Sequence, residues 1–264
     1  MTKRTVYLTG VFLLLGLFIF TACDSFYGNS WGESRGYNTQ NMNVTISNLP
    51  SWEKAARYNP ALAKALAEVI NGMMVNMPDG PDKAKFQKAG VEFAIKSAGL
   101  GKSFLNNIDK LADSVDNVDA DAFLELIGNI QNDFNNSNGS AAAKNLTEIV
   151  TPQGGFGSTP EFDPYYGEIA EASDVGQAVI ILTMALLKET DETIEEVLKG
   201  NDVIDFDIWD LDLKIDNEKV VADGNPSPEA QALAAYINLI NSDTTGKYDK
   251  NPITSEIKKI FSKD

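Results

Sequence analysis

The sequence predicts a mainly α domain, an irregular multi-helix bundle or array with one small β-hairpin near residues 203–222. Three observations predict it. From residue 50 onward, apolar residues recur at helical spacing in one segment after another. Each segment is fenced by proline, glycine or asparagine. Only one stretch, "DVIDFDIWDLDLKIDNEKVVADG", alternates acidic and apolar residues with the period of a strand wetted on one face.

The helices follow in order. Asn59-Pro60 has the cap and first-turn chemistry of a helix start. Leu62, Leu66, Val69, Ile70, Met73 and Met77 then mark one face, and Pro78-Asp79-Gly80-Pro81 ends the run. A second helix over 82–98 carries Phe86, Ala89, Phe93 and Ala94. Gly99 and Gly101 separate it from a third over 102–115, with Phe104, Ile108 and Leu111. A fourth over 119–134 carries Phe123, Ile127, Ile130 and Phe134, with Asp119 as its cap. After the loop "NNSNGS", a short helix runs to Val150. Apolar stripes about 100° wide are what helices sharing one core require.

Residues 151–168 hold four glycines and three prolines, the composition of a hinge or a loop. Ser173 and Asp174 are expected to cap the next helix. Its stretch Ala178–Leu187 is apolar nearly all round, too short to span a bilayer and suited to a buried central helix. "TDETIEEVLKG" predicts a short helix ending at Gly200. In the alternating stretch, Asp216-Asn217 predicts the hairpin turn, and a phase slip at Ile208-Trp209 predicts a bulge. Ser227-Pro228 and Asn251-Pro252 open the last two helices.

The amino-terminal segment has a different character. Lys3 and Arg4 precede Val6–Phe20, an apolar run of 15 residues. A membrane-spanning helix needs about 20, whereas 15 suits a signal-peptide core. Thr21 and Ala22 follow, then Cys23, the only cysteine among 264 residues. This segment resembles the lipobox of bacterial lipoproteins, an apolar residue and two small ones before a cysteine. Phe20 stands where leucine is commonest, as in relaxed, spirochaete-like lipoboxes. The resemblance covers residues 1–23 and implies cleavage between Ala22 and Cys23. It also implies a diacylglycerol on the Cys23 thiol and a further acyl chain, such as palmitate, on the new amine. Two or three chains anchor stably where one binds only marginally. Asp24 resembles the inner-membrane retention signal of enteric lipoproteins.

The resulting layout is a signal peptide over 1–22, a lipidated tether over 23–49 rich in Gly, Asn and Ser, and a helical domain over 50–264 with a hinge at 151–168. The expected location is the cell envelope, lipid-anchored and facing the periplasm or the cell surface.

Composition narrows the function. The formal charge is −16. Removing the signal, with its two positive residues, makes it −18. That argues against nucleic acid, whose affinity comes from Lys and Arg on phosphates. It also argues against electrostatic docking to anionic lipid, so the covalent lipid is the expected membrane contact. There is no histidine, and a lipidated Cys23 leaves no thiol. Ser-His-Asp and Cys-His catalysis and His- or Cys-ligated zinc are therefore excluded, and no cofactor is expected.

The remaining motifs are weak. "GLGKSF" ends like a phosphate loop, but Lys96 stands where that loop needs glycine. Ser51-Trp52-Glu53-Lys54 fits the Ser-x-x-Lys of penicillin-binding enzymes without their other elements, and reads as a helix start at Ser51. The acidic ladder Asp202, Asp205, Asp207, Asp210 and Asp212 has oxygens for calcium but no calcium-loop spacing. Asp116, Asp119, Asp121 and Glu125 fail the same test. A charged edge strand explains the ladder without a metal.

The expected function is a non-enzymatic binding or scaffold module for another envelope protein or a small ligand. The alternative is a carrier of an apolar small molecule between Met73, Met74, Met77 and the 178–187 helix. A carboxylate-based glycan hydrolase is the third reading, requiring only paired Asp or Glu.

Overall fold

The computed structural model describes residues 39, 42–100, 120–150, 162–189, 213–216, 219–222, 224 and 226–261. Among them are nine α-helices and one two-stranded antiparallel sheet. The architecture is mainly α with one small hairpin.

The first helix, α1 (Leu49–Ala56), starts two residues before the Ser51 anticipated from sequence. A 3-10 turn over Ile46–Asn48 leads into it, and the Asn48 side chain accepts from the Thr45 amide at 2.8 Å. Helix α2 (Pro60–Met74) is opened by Asn59, whose side chain accepts from the Leu62 amide at 3.0 Å. Two more Asn- or Ser-Pro starts behave alike. Ser227 accepts from Ala230 at 3.2 Å to open α8 (Pro228–Asn241). Asn251 accepts from Ile253 at 3.0 Å to open α9 (Pro252–Phe261). Each cap satisfies an amide that the first turn leaves without a carbonyl.

Between these lie α3 (Pro81–Ser97), α4 (Ala120–Asn135), α5 (Gly139–Val150), the single-turn α6 (Tyr166–Ile169) and α7 (Ala172–Glu189). Helix α3 packs on α2, α5, α6 and α7, and α7 packs on α3, α5, α8 and α9. These two are the spine of the molecule. At Gly90 three helices meet. A Cβ there would stand 3.2 Å from Ile70 of α2 and 3.3 Å from Ile149 of α5, so a larger residue would make those side chains give by a few tenths of an ångström.

The apolar run of α7 is buried as anticipated, with Ala178, Ile181 and Leu182 fully inside. The helix begins at Ala172, however, so Ser173 and Asp174 lie in its first turn instead of capping it. Asp163 accepts the Gly80 amide at 2.6 Å and the Tyr165 amide at 2.9 Å, and its own amide donates to Gln87 at 2.9 Å. The described end of the Gly/Pro-rich stretch is thus bound to α3 and buries Tyr166.

The hairpin pairs β1 (Leu213–Asp216) with β2 (Lys219–Ala222), matching Asp216 with Lys219. That register leaves residues 217 and 218 between the strands. Asn238 of α8 binds β2 through both backbone groups of Val220, accepting at 2.9 Å and donating at 2.7 Å. The helices anticipated over 102–115 and 190–200 and the bulge at 208–209 lie outside the described residues.

Candidate functional site

The lipid-attachment residue Cys23, the cleavage residue Ala22, the ladder Asp202–Asp212 and the Gly101-Lys102-Ser103 string also lie outside the described residues. So do Asp116 and Asp119. Ser51 and Lys54 are exposed on α1, as a plain surface helix start predicts. Of the methionines, Met74 is buried while Met73 and Met77 pack partly buried against the core. Their helix rests mainly on α3 and α5.

The structure assembles a different cluster that sequence reasoning missed. Helix α3 presents Lys88, Glu92 and Lys96 at successive four-residue steps, which places them on one face. Glu171 and Asp174 arrive from the start of α7. One carboxylate oxygen from each of Glu92, Glu171 and Asp174 lies within 4.8 Å of the other two. Two ammonium groups flank them. Lys88 is 2.7 Å from Glu171 and 3.7 Å from Glu92, and Lys96 is 3.4 Å from Glu92.

These contacts compensate two of the acids and leave the third. The hydrogen bond and charge of Lys88 hold the Glu171 carboxyl below its usual range. Burial lowers the tendency of Lys88 to hold its proton, but the bond to Glu171 and the fields of Glu171, Glu92 and Asp174 outweigh it and leave Lys88 raised. Asp174 has neither a hydrogen-bond donor nor an ion-pair partner among the described residues. Burial first, then repulsion by Glu92 and Glu171, push its carboxyl up to about 6 against the pull of Lys88 and Lys96. A carboxylate in the first turn of a helix is ordinarily favoured by the positive dipole end, and here that advantage is overcome. Glu53, reaching the rim from α1, is likewise raised by burial and by Glu92.

An aromatic cluster lies within electrostatic reach of Asp174. Phe162 stacks on Tyr166 with centroids 4.4 Å apart and meets Tyr236 edge-on at 4.8 Å. Tyr166, Tyr236 and Tyr248 are all buried. The hydroxyls of Tyr236 and Tyr248 have no hydrogen-bond partner among the described residues. Burial raises the Tyr166 and Tyr236 hydroxyls well above the ordinary tyrosine range. Asp174 acts on both, and it is the one charged group acting on Tyr236. On the far side, Lys247 donates to the carbonyls of Gly167 and Glu168 at 2.8 and 3.0 Å, where a cation meets the free end of α6.

The arrangement can therefore hold positive charge. It has one oxygen from each of three carboxylates, with the Lys88 ammonium bridging two of the acids. The one local signal was the Lys88-Glu92-Lys96 spacing, which also describes an ordinary exposed ion-pair ladder.

No protein-family model, no curated protein and no solved structure matches the chain. No described helix is long and apolar enough to cross a membrane.

Proposed function

We propose that the chain is a lipid-anchored cell-envelope protein whose helical body is a non-enzymatic binding or scaffold module. The observation that carries this reading is the placement of the sole cysteine. Cys23 follows a 15-residue apolar run and the small pair Thr21-Ala22, where lipoprotein processing needs it. The chemistry of the body agrees. It has no histidine, and its charged groups in α3 are largely engaged with one another. The membrane contact is the acyl chains on Cys23, because a body of formal charge near −18 is repelled by anionic lipid. The partner is another envelope protein, met at the distance the 23–49 tether allows.

The test is the Cys23→Ser variant expressed in a lipoprotein-processing bacterium. The parent is expected to partition with membranes and to have an intact mass lacking residues 1–22 and including acyl chains. The variant is expected in the soluble fraction without the adduct. A variant that stays with membranes at the parent's mass overturns the anchor. Native mass spectrometry of the anchored parent then reads what the body holds. A co-purifying protein supports the binding module, and a small apolar mass supports a carrier instead.

A further inference from the structure

We propose that Asn138, in the turn between α4 and α5, is a deamidation site whose product loosens the joint to α3. The inference is independent of the lipid anchor, and the only co-reactant is water.

The chain contains two Asn-Gly pairs, Asn71-Gly72 and Asn138-Gly139. Deamidation starts when the glycine amide nitrogen, having given its proton to hydroxide, attacks the asparagine Cγ. A C–N bond forms, the bond from Cγ to Nδ2 breaks, and ammonia leaves with a proton taken from water. The five-membered imide then takes up one water. Opening at Cγ gives aspartate, and opening at the main-chain carbonyl gives isoaspartate. The balance is ammonia lost and water gained. Glycine is the favoured neighbour because it has no Cβ to crowd the attacking nitrogen.

The fold treats the two pairs oppositely. Asn71 is 5% exposed, and its Nδ2 donates to the Asn145 carbonyl and to Glu148, both at 3.2 Å. Gly72 lies inside α2, where the helix ladder takes up its amide. Attack there requires the helix to open. Asn138 is exposed, and its side chain has no hydrogen bond among the described residues. Gly139 is the first residue of α5. A first-turn amide has no carbonyl of its own helix to bind, and this one meets the Ser137 hydroxyl at 3.2 Å. Packing keeps the reactive pair in place. A Cβ on Gly139 would fall inside contact distance of the buried Phe134 ring, so the position tolerates no side chain.

The consequence follows from the backbone contacts of Asn138. Its amide donates to the Ala98 carbonyl at 2.9 Å, tying the turn to the end of α3, and its carbonyl accepts from Ala142 at 3.0 Å. Aspartate keeps both bonds and adds a negative charge at the positive end of α5. Isoaspartate routes the main chain through Cγ, one carbon longer. The carbonyl that Ala142 binds becomes a free carboxylate, and the spacing between the two anchors is lost.

The experiment incubates the full chain in detergent at pH 8.5 and 37 °C, folded and in 8 M urea, and reads both pairs by peptide mass spectrometry. In the folded chain Asn138 is expected to convert at least about tenfold faster than Asn71, whose reaction waits on the opening of a packed helix. In urea the two should convert at similar rates. Asn138→Gln, which would have to form a less favourable six-membered ring, is expected to abolish the mass gain in its peptide and to keep its Tm throughout. The parent, once mostly converted, is expected to melt about 2–4 °C below Asn138→Asp, which has the same charge on a normal main chain. Equal conversion of both pairs in the folded chain, no conversion at Asn138 in the time the urea sample needs, or an unchanged mass gain in Asn138→Gln would each overturn the site. A converted parent that melts with Asn138→Asp would overturn the loosening.

Discussion

Two aspartates flank the single-turn helix α6, and they are placed in opposite circumstances. Asp163 precedes it, only 3% exposed, and accepts two backbone amides at 2.6 and 2.9 Å. Asp174 follows it, half-buried, with no donor among the described residues and two carboxylates for neighbours. Burial alone therefore does not decide what a carboxylate does. A buried acid whose oxygens are taken up by fixed N–H groups serves as a clamp, here joining the Gly80 turn to the α6 turn. One surrounded by like charge is a stored conflict that a proton, an ammonium or an ion can relieve. Strain of this kind is kept where the surrounding packing is strong enough to hold it, and α3, which carries Glu92, is the most extensively packed of the described helices.

The largest expected effect lies on the satisfied side. Asp163→Ala strips the partner from the Gly80 and Tyr165 amides and leaves Gln87 facing a loosened turn. An unsatisfied donor costs about 1–3 kcal/mol when buried, and these two are part-buried, so a loss of about 1–3 kcal/mol in all is expected. Urea denaturation reads it as a lower midpoint at unchanged slope. A loss below about 0.5 kcal/mol would show that water replaces the aspartate freely and that the clamp is not one.

On the conflicted side the sign reverses. The Asp174 carboxyl is raised from 3.8 to about 6 by burial and its acidic neighbours, so between those values the folded state binds more protons than the unfolded state. Stability from this group is therefore greatest below about pH 4, falls as pH rises to about 6, and stays reduced above. Asp174→Asn removes that dependence. In buffer free of divalent ions it is expected to stabilise the protein by about 1–2 kcal/mol at pH 7.5, and by little below pH 4. Melting temperature followed across pH 4–8 tests it, and a variant less stable than the parent at pH 7.5 would sink the reading of Asp174 as unrelieved charge.

What could be read in the sequence, and what could not, divides along the same line. The starts at Asn59-Pro60, Ser227-Pro228 and Asn251-Pro252 were legible because a cap and its amides lie within three residues. The burial of α7 and the hairpin pairing were legible because apolar continuity and a two-residue period are local patterns. The acidic trio was not. Its two halves are on different helices, and Lys88 meets Glu171 across 83 residues. Asp174 resembled a cap because aspartate before an apolar run normally is one. The helix instead starts two residues earlier, which turns the carboxylate toward Glu92. The segment around Tyr166 read as a connection because its glycines and prolines outnumber its apolar residues. Nothing local shows that Asp163 would bind Gly80 or that Phe162 and Tyr166 would stack.

The smallest effect gives the sharpest comparison, because it tests whether Lys88 acts on the trio or only on Glu171. As a partly exposed surface pair at 2.7 Å, Lys88–Glu171 alone is worth about 0.2–1 kcal/mol. Lys88→Met is expected to cost that much, plus the loss of its attraction for Asp174 and Glu92. If the lysine holds the three acids together, the same substitution costs less once Asp174→Asn has removed one of them. The four proteins of this double-mutant cycle, melted in urea at pH 7.5, are expected to give a coupling of about 0.5 kcal/mol. The charge-screening part should shrink in 1 M salt, where the Debye length falls to about 3 Å. Additive effects at both salt concentrations would confine Lys88 to its pairs with Glu171 and Glu92 and leave Asp174 uncompensated. A coupling that fades with salt would identify the ammonium as a counter-ion to the whole cluster.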